Sequence, residues 1–243
     1  MKALIIGASA GLGRALSQEL SARGWDLYLV ASTGSALQAL SQELSARFGG
    51  RIFPEALDLR HGDIAGLKDR VLASLGSPDA LFLVAGFCND QDAGQVPDEL
   101  LCDLAQVNFL APMRIANAFV QDLAGKNPGY LVGIGTIAQS RARRANAVYA
   151  SAKSGLEFYF EALRHHLAFT KCRVHFFRMG YMATRMTMGQ KLLLPAMAPE
   201  KAAKAILACL DGRQGVRYLP KWWALVMAVF RLLPWGLYKR MKM

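Results

Sequence analysis

Short, continuously apolar runs alternate along this chain with segments of helical period, and that alternation restricts the fold more than any other feature. Ala3-Leu4-Ile5-Ile6 precedes a segment over 11–23 in which Leu12, Ala15, Leu16 and Leu20 share one helical face. The pattern predicts further strands over 27–30, 52–57, 81–84, 130–134 and 173–177, separated by helices over 35–48, 63–75, 97–124 and 147–169. Strands without a polar side belong to parallel sheets covered by helices on both faces. The expected fold is therefore α/β, a three-layer, doubly wound parallel sheet. No linker or low-complexity tract divides the chain, so one domain is expected over 1–210, with an amphipathic helical tail over 211–243. A composition of 53% hydrophobic and 19% charged residues supplies the apolar mass for such a core. It excludes disorder, collagen-like repeats and a disulfide-stapled miniprotein.

The first strand runs into Gly7-Ala8-Ser9-Ala10-Gly11-Leu12-Gly13 and then a helix. A glycine-rich turn at that place lets backbone N–H groups and the positive helix end face a pyrophosphate, where any Cβ would hold the phosphates away. At the end of the second strand an acid would bind ribose hydroxyls and exclude a 2′-phosphate. Ala31-Ser32-Thr33 stands there instead, so NADP(H) or NAD(H) both remain open. Ser32, Thr33 and Arg14 as a charge partner tilt the reading toward NADP(H). Asp58 at the end of the third strand is placed to accept from an adenine amino group, or equally to act as a turn or helix-capping aspartate. Cys88, Cys102, Cys172 and Cys209 form no C-x-x-C pair and the four histidines no H-x-x-x-H pair, so reduced thiols and no metal site are expected. The apolar stretch after Met1-Lys2 stops at Gly7, too short for the roughly 7 residues of an export-signal core.

Tyr149-Ala150-Ser151-Ala152-Lys153 opens the long helix after the fifth strand. Four residues apart, the phenol and the ammonium lie on one face, and the cation is expected to lower the tyrosine pKa toward a usable general acid or base. Thr136 supplies a hydroxyl just after the fifth strand, and Asn108 puts an amide inside an otherwise apolar helix. With these four positions and the glycine turn, residues 1–190 resemble the short-chain dehydrogenase/reductase family, which has a Rossmann fold. The resemblance implies hydride transfer between nicotinamide and a carbonyl or alcohol carbon. It makes Tyr149 the proton donor, Lys153 the residue that holds the nicotinamide ribose and tunes Tyr149, and Thr136 a hydrogen-bond partner of the substrate oxygen. Asn108 would hold a water that links Lys153 to solvent. The implied cofactor contacts are Gly7, Ser9, Gly11, Leu12, Gly13, Arg14, Ser32, Thr33, Asp58, Leu59, Ala85, Gly86, Tyr149, Lys153, Gly180, Met182 and Thr184. Several positions depart from the family pattern. Thr136 replaces serine and Ile6 replaces threonine. Leu83-Val84-Ala85-Gly86 keeps only the last two residues of Asn-Asn-Ala-Gly, and Arg178-Met179-Gly180 stands for Asn-Pro-Gly.

Twenty-nine Lys and Arg against 18 Asp and Glu give a formal net charge of +11, and residues 213–243 hold seven of the basic groups and no acid. The same stretch contains nine consecutive apolar residues, Trp222 to Phe230, then a second apolar block broken by Arg231 and Pro234. Nine residues cannot cross a bilayer, which takes about 20 in a helix. Three tryptophans flanked by cations suit a helix lying in the headgroup zone of an anionic leaflet. The competing reading is a helix that packs on another subunit or closes over the active site. Nucleic acid is not expected, because the aromatics form one apolar block instead of alternating with basic residues. Arg141-Ala142-Arg143-Arg144, between Thr136 and Tyr149, reads either as a phosphate-recognising rim or as a solvated loop. From Gly135 onward, Ser140 to Tyr149, Gly180 to Met186 and the tail resemble the decaprenylphosphoryl-2-keto-pentose reductases and their bacterial relatives. That resemblance implies a lipid-linked keto-sugar reduced at the cytoplasmic face of the membrane. The competing functions are a soluble carbonyl or 3-oxoacyl reductase whose tail mediates oligomerisation, and a nucleotide sensor without turnover. A homo-oligomer is expected, and 189–198 is expected to cover the pocket.

Overall fold

A computed structural model describes residues 1–184 and 194–241. The strands are β1 (Lys2–Ile6), β2 (Asp26–Ala31), β3 (Ile52–Ala56), β4 (Ala80–Leu83), β5 (Gly129–Thr136), β6 (Cys172–Met179) and β7 (Gly215–Leu219). They form one sheet in the order β3-β2-β1-β4-β5-β6-β7, with every neighbouring pair parallel. Successive side chains of a strand point to opposite faces, and β1 shows what this does to the core. Ala3 and Ile5 pack with α1 (Gly11–Ala22), α2 (Gly34–Phe48) and α7 (Pro199–Cys209). Leu4 and Ile6 pack with α3 (Leu67–Ser74), α5 (Ala111–Ala124) and α6 (Ala147–His166). Both faces of the central strands are thus dry, and the expected doubly wound, three-layer sheet is observed.

The chain builds outward from β1 to β3, then returns to place β4 on the other side of β1. In open sheets of this kind the crevice opens beyond the carboxyl ends of the strands at that reversal. The glycine turn after β1 and the Ala85-Gly86 turn after β4 meet there, with the N–H groups of Val84 and Ala85 both bonded to the Ile6 carbonyl at 2.9 Å.

Two elements differ from expectation. The single helix expected over 97–124 is α4 (Asp98–Ala105), a π-helical turn at Gln106–Leu110, and α5. The extra residue of a π turn re-aims side chains locally and recurs at functional sites; here it holds Asn108, whose side chain is fully buried. The boundary expected at residue 210 falls before the end of the sheet, because Gly215–Leu219 pairs with β6 from His175↔Gly215 to Met179↔Leu219. Arg217 in its middle and its position at the sheet edge remove the apolar run that marks the other strands. The helical tail therefore starts after β7, as α8 (Trp223–Leu232) and the short α9 (Trp235–Tyr238). Its inner side is anchored: Trp223, Met227 and Tyr238 are buried.

Candidate active site

A cleft of about 1310 Å³ runs along the carboxyl edge of the sheet from the glycine turn to the start of α6. At one end Gly7 (φ +93°) and Gly11 (φ +49°) take left-handed conformations, and a Cβ on Gly7 would come within 2.6 Å of the Ala85 backbone nitrogen. A Cβ on Gly13 would overlap the Gly7 carbonyl, so glycine there lets α1 close on the turn. Ala10, at the N-cap of α1, makes no side-chain capping bond. The first-turn N–H groups are left for an anion at the positive helix end. This cradle fits a dinucleotide pyrophosphate.

Of the residues expected to hold a cofactor, Gly7, Ser9, Gly11, Leu12, Gly13, Arg14, Ser32, Asp58, Leu59, Ala85, Gly86, Tyr149, Lys153, Gly180, Met182 and Thr184 line this cleft. Thr33 lies just beyond it, exposed at the N-cap of α2. Arg14 is bonded to Glu43 at 2.7 Å. Asp58 accepts from the Arg60 backbone N–H at 3.0 Å and from its guanidinium at 2.7 Å, and this pairing holds its carboxyl below the usual range. Asp58 thus performs the turn role while still facing the cleft. Arg60 also lines the cleft, a cation on the wall that the sequence reading did not single out.

At the other end Thr136, Tyr149 and Lys153 share the wall. Lys153 is 2% exposed, and its Nζ donates to the Ala85 carbonyl at 2.9 Å, which ties α6 to the turn after β4. The Thr136 hydroxyl and the Cys88 thiol are the polar groups that act on the Tyr149 phenol. Burial lifts the phenol above its ordinary value, Cys88 adds to that, and the Thr136 bond opposes it. Burial brings the Lys153 ammonium down to about 8. The expected acidification of Tyr149 by Lys153 is therefore not seen in the protein alone. Both groups are desolvated, which disfavours both charged forms, and the ammonium is turned toward a carbonyl.

Asn108 lies beneath the cleft floor instead of on its wall. Its Nδ2 donates to the carbonyls of Phe87 at 2.7 Å and Leu104 at 2.9 Å, and its Oδ1 accepts from the Phe87 N–H at 3.0 Å. The side chain thereby fixes the segment that carries Gly86 and Cys88.

Asp92 was invisible as a functional residue from sequence. It is 2% exposed, and its two carboxylate oxygens accept the N–H groups of Val148 and Tyr149, each at 2.9 Å. Its carbonyl accepts the N–H of Asn146, which sits at φ +58° in the N-cap position of α6. A residue 56 positions upstream thus caps the helix that presents the phenol.

Comparison with known proteins decides the family. The family model described as short chain dehydrogenase matches residues 1–192. This chain belongs to the short-chain dehydrogenase family. It is 29% identical over 185 residues to the 3-oxoacyl-(acyl-carrier-protein) reductase of Escherichia coli (strain K12), covering 76% of this chain and 75% of that protein. It is 27% identical over 243 residues to an uncharacterized oxidoreductase of Mycobacterium tuberculosis (strain ATCC 25618 / H37Rv), covering 98% and 96%. Among solved structures, a short-chain dehydrogenase from Sphingobium yanoikuyae in complex with NADPH superposes with a TM-score of 0.81 at 25% identity, over 100% of this chain and 96% of that one.

One departure of this dehydrogenase from the pattern of its family builds new structure behind the site. Arg178, standing where asparagine is usual, is bonded through two nitrogens to Glu157 and through a third to the Tyr218 hydroxyl at 2.5 Å. Burial works against its charge, and the Glu157 bonds more than offset that, so the guanidinium is held charged. Glu157 also accepts from Gln139 at 2.6 Å, and Gln139 in turn accepts the Thr136 N–H at 2.9 Å. The tail closes this layer. Trp223 lies so close to Gly180 that any Cβ there would strike its indole. Arg231 donates to the Ser140 carbonyl at 3.0 Å.

The arginine loop divides. Arg141 bonds the carbonyls of Phe230 and Leu233 and stacks on Tyr238 at 3.9 Å, so it serves the tail. Arg143 lines the cleft, and Arg144 is exposed off it. Arg185, Met186 and residues 189–193 of the segment 189–198 lie outside the described residues.

Proposed function

We propose that this chain is an NAD(P)(H)-dependent oxidoreductase that works as a ketone reductase, with Tyr149 as the general acid. The observation that carries the reading is the meeting of Tyr149, Thr136 and Lys153 at one end of a cleft whose other end is an anion cradle. The turn at Gly7, Gly11 and Gly13 and the start of α1 would hold the pyrophosphate of a dinucleotide, which when bound would supply the hydride. This chain does the rest. Thr136 and Tyr149 orient the carbonyl oxygen, Tyr149 delivers the proton, and Lys153 holds the ribose and restores charge balance near the phenol. The turn after β2 offers Ser32 and no acid, with Arg14 and Arg60 nearby, which favours NADP(H). The NADPH complex of the Sphingobium relative supports the same choice.

The substrate we favour is lipid-linked, a keto-sugar on a polyprenyl phosphate, met at an anionic membrane surface. Leu225, Val229, Leu232 and Trp235 are 73%, 56%, 84% and 68% exposed on the tail. Leu225, Val229 and Leu232 share one face of α8 by their spacing, Trp235 on α9 adds exposed apolar surface, and Lys221, Lys239 and Arg240 are exposed in the same tail. No described helix is long and apolar enough to cross a membrane, so the reading is surface docking.

The second reading, a 3-oxoacyl reductase working away from membranes, is favoured by the Escherichia coli relative. The exposed Leu101, Leu110 and Phe158 on and beside α4 and α6 offer a face for a second copy in either case. Sedimentation with vesicles of anionic and neutral lipid separates the two readings. Salt-sensitive pelleting with anionic vesicles, lost in a Leu225→Ser/Val229→Ser/Leu232→Ser/Trp235→Ser variant, supports docking. Wild-type protein that stays in the supernatant removes it. Truncating at residue 213 is not a clean test, since it deletes β7 and buried Trp223. NADPH consumption with a panel of ketones, and its absence in Tyr149→Phe, tests turnover against a sensor.

A further inference from the structure

The three arginines between Thr136 and Tyr149 have different fates, and the odd one is Arg143. Arg141 is committed to the carbonyls that end α8, and Arg144 is exposed and not part of the cleft lining. Arg143 lines the cleft on the same stretch as Asn146 and Tyr149. Its Nε is buried and has no hydrogen-bond partner. No ion pair among the described residues involves it, although Asp90 lines the same cleft. A buried N–H without an acceptor is a cost that folded proteins rarely leave unmet. A guanidinium presents Nε–H and one Nη–H as a planar fork that matches two oxygens of a phosphate or carboxylate. The cradle for a cofactor pyrophosphate is built at Gly7, Gly11 and Gly13, whereas Arg143 lines the cleft in the segment that leads into Tyr149, where a substrate would lie.

We infer that Arg143 is the receptor for an oxyanion on the substrate, so that the cleft takes ketones carrying a phosphate monoester or diester close to the carbonyl. This deepens the reductase reading above and rests on it for the word substrate. A phosphate of this kind comes either from a soluble sugar phosphate or from a lipid phosphate, and Arg143 recognises what the two share. The inference also separates the cations by job: Arg141 and Arg231 attach the tail, Arg178 braces the layer behind Thr136, and Arg143 selects.

The test is equilibrium binding to the full chain saturated with NADP+, using dihydroxyacetone phosphate, neutral dihydroxyacetone and decyl phosphate below its micelle concentration. The expected result is binding of both phosphates to wild type, weakened about 10- to 100-fold in Arg143→Ala as for a lost charged hydrogen bond. Arg143→Lys, which keeps the charge without the fork, recovers part of it; Arg144→Ala changes nothing; neutral dihydroxyacetone does not respond to any of the changes. Thermal stability of Arg143→Ala stays at the wild-type value, since its Nε leaves no protein partner behind. Tighter binding of decyl phosphate identifies a lipid source, and tighter binding of the triose phosphate a soluble one. The inference is overturned if neither phosphate binds wild type, or if both bind Arg143→Ala as well as wild type. If binding depends on Arg143 while no ketone is ever reduced, the reductase reading falls and the anion receptor stands.

Discussion

Replacing Asp92 by alanine should damage the active site from a position outside the reacting groups. Its carboxylate accepts two N–H groups at 2.9 Å at the first turn of α6, and it is 2% exposed, so water does not replace it freely. Hydrogen bonds to a charged acceptor contribute about 1.5–3 kcal/mol each, and the charge at a helix N-terminus adds about 0.3–1 kcal/mol. Water entering the vacated space recovers part of this, leaving a loss of about 2–4 kcal/mol. For a chain of this size about 1 kcal/mol moves the melting temperature by about 2–4 °C, so Asp92→Ala should melt about 4–16 °C lower. Asp92→Asn keeps one acceptor oxygen without the charge and should lose about half as much. Because the second orphaned N–H is that of Tyr149 itself, the phenol loses its fixed position. Turnover measured well below the melting range should then fall about 10-fold or more, while NADPH affinity, set at the far end of the cleft, stays within about 2-fold. An alanine variant that melts within 2 °C of wild type, or that keeps full turnover, would refute the capping argument.

Two further outcomes follow from buried charge. His175 is fully buried, with Nε2 3.1 Å from the Leu210 carbonyl and Nδ1 without a partner, and burial brings its pKa from 6.5 to about 4. The folded state therefore resists protonation that the unfolded chain accepts: its contribution is complete above pH 6.5 and is lost as pH falls toward 4, on the order of 2–3 kcal/mol in all. Melting curves across that window should show the decline, and His175→Phe should flatten it. Removing Glu157 leaves Arg178 charged and nearly enclosed, at 13% side-chain exposure, so Glu157→Ala should be destabilised by about 3 kcal/mol in thermal melts. Restoring the apolar layer with Glu157→Leu/Arg178→Met should recover most of that loss.

The parts of the site that arise from local chemistry were legible in the sequence. The glycine turn had to be glycine because Gly7 and Gly13 lie against backbone atoms, and four residues of helix bring Tyr149 and Lys153 to one wall. The parts created by tertiary pairing were not. Asp92 caps a helix that begins 55 residues later, which no local pattern records. β7 is an edge strand centred on Arg217, so it lacks the apolar signature of β1 or β4. The π turn at Gln106–Leu110 is a change in hydrogen-bond register inside an unbroken helical pattern. The fate of each arginine in 141–144 depends on the tail folding back over it. The expected acidification of Tyr149 failed for a related reason: spacing along a helix gives proximity, but burial decides which charged forms survive.

The account turns on the phenol of Tyr149 as the proton donor in a cleft that binds a dinucleotide independently of it. The most direct measurement is Tyr149→Phe assayed twice, for NADPH binding by nucleotide fluorescence and for ketone reduction at saturating NADPH. The account predicts binding within about 2-fold of wild type and reduction down by about 10²- to 10⁴-fold, the range general acid catalysis supplies. Reduction that survives the loss of this hydroxyl would contradict it.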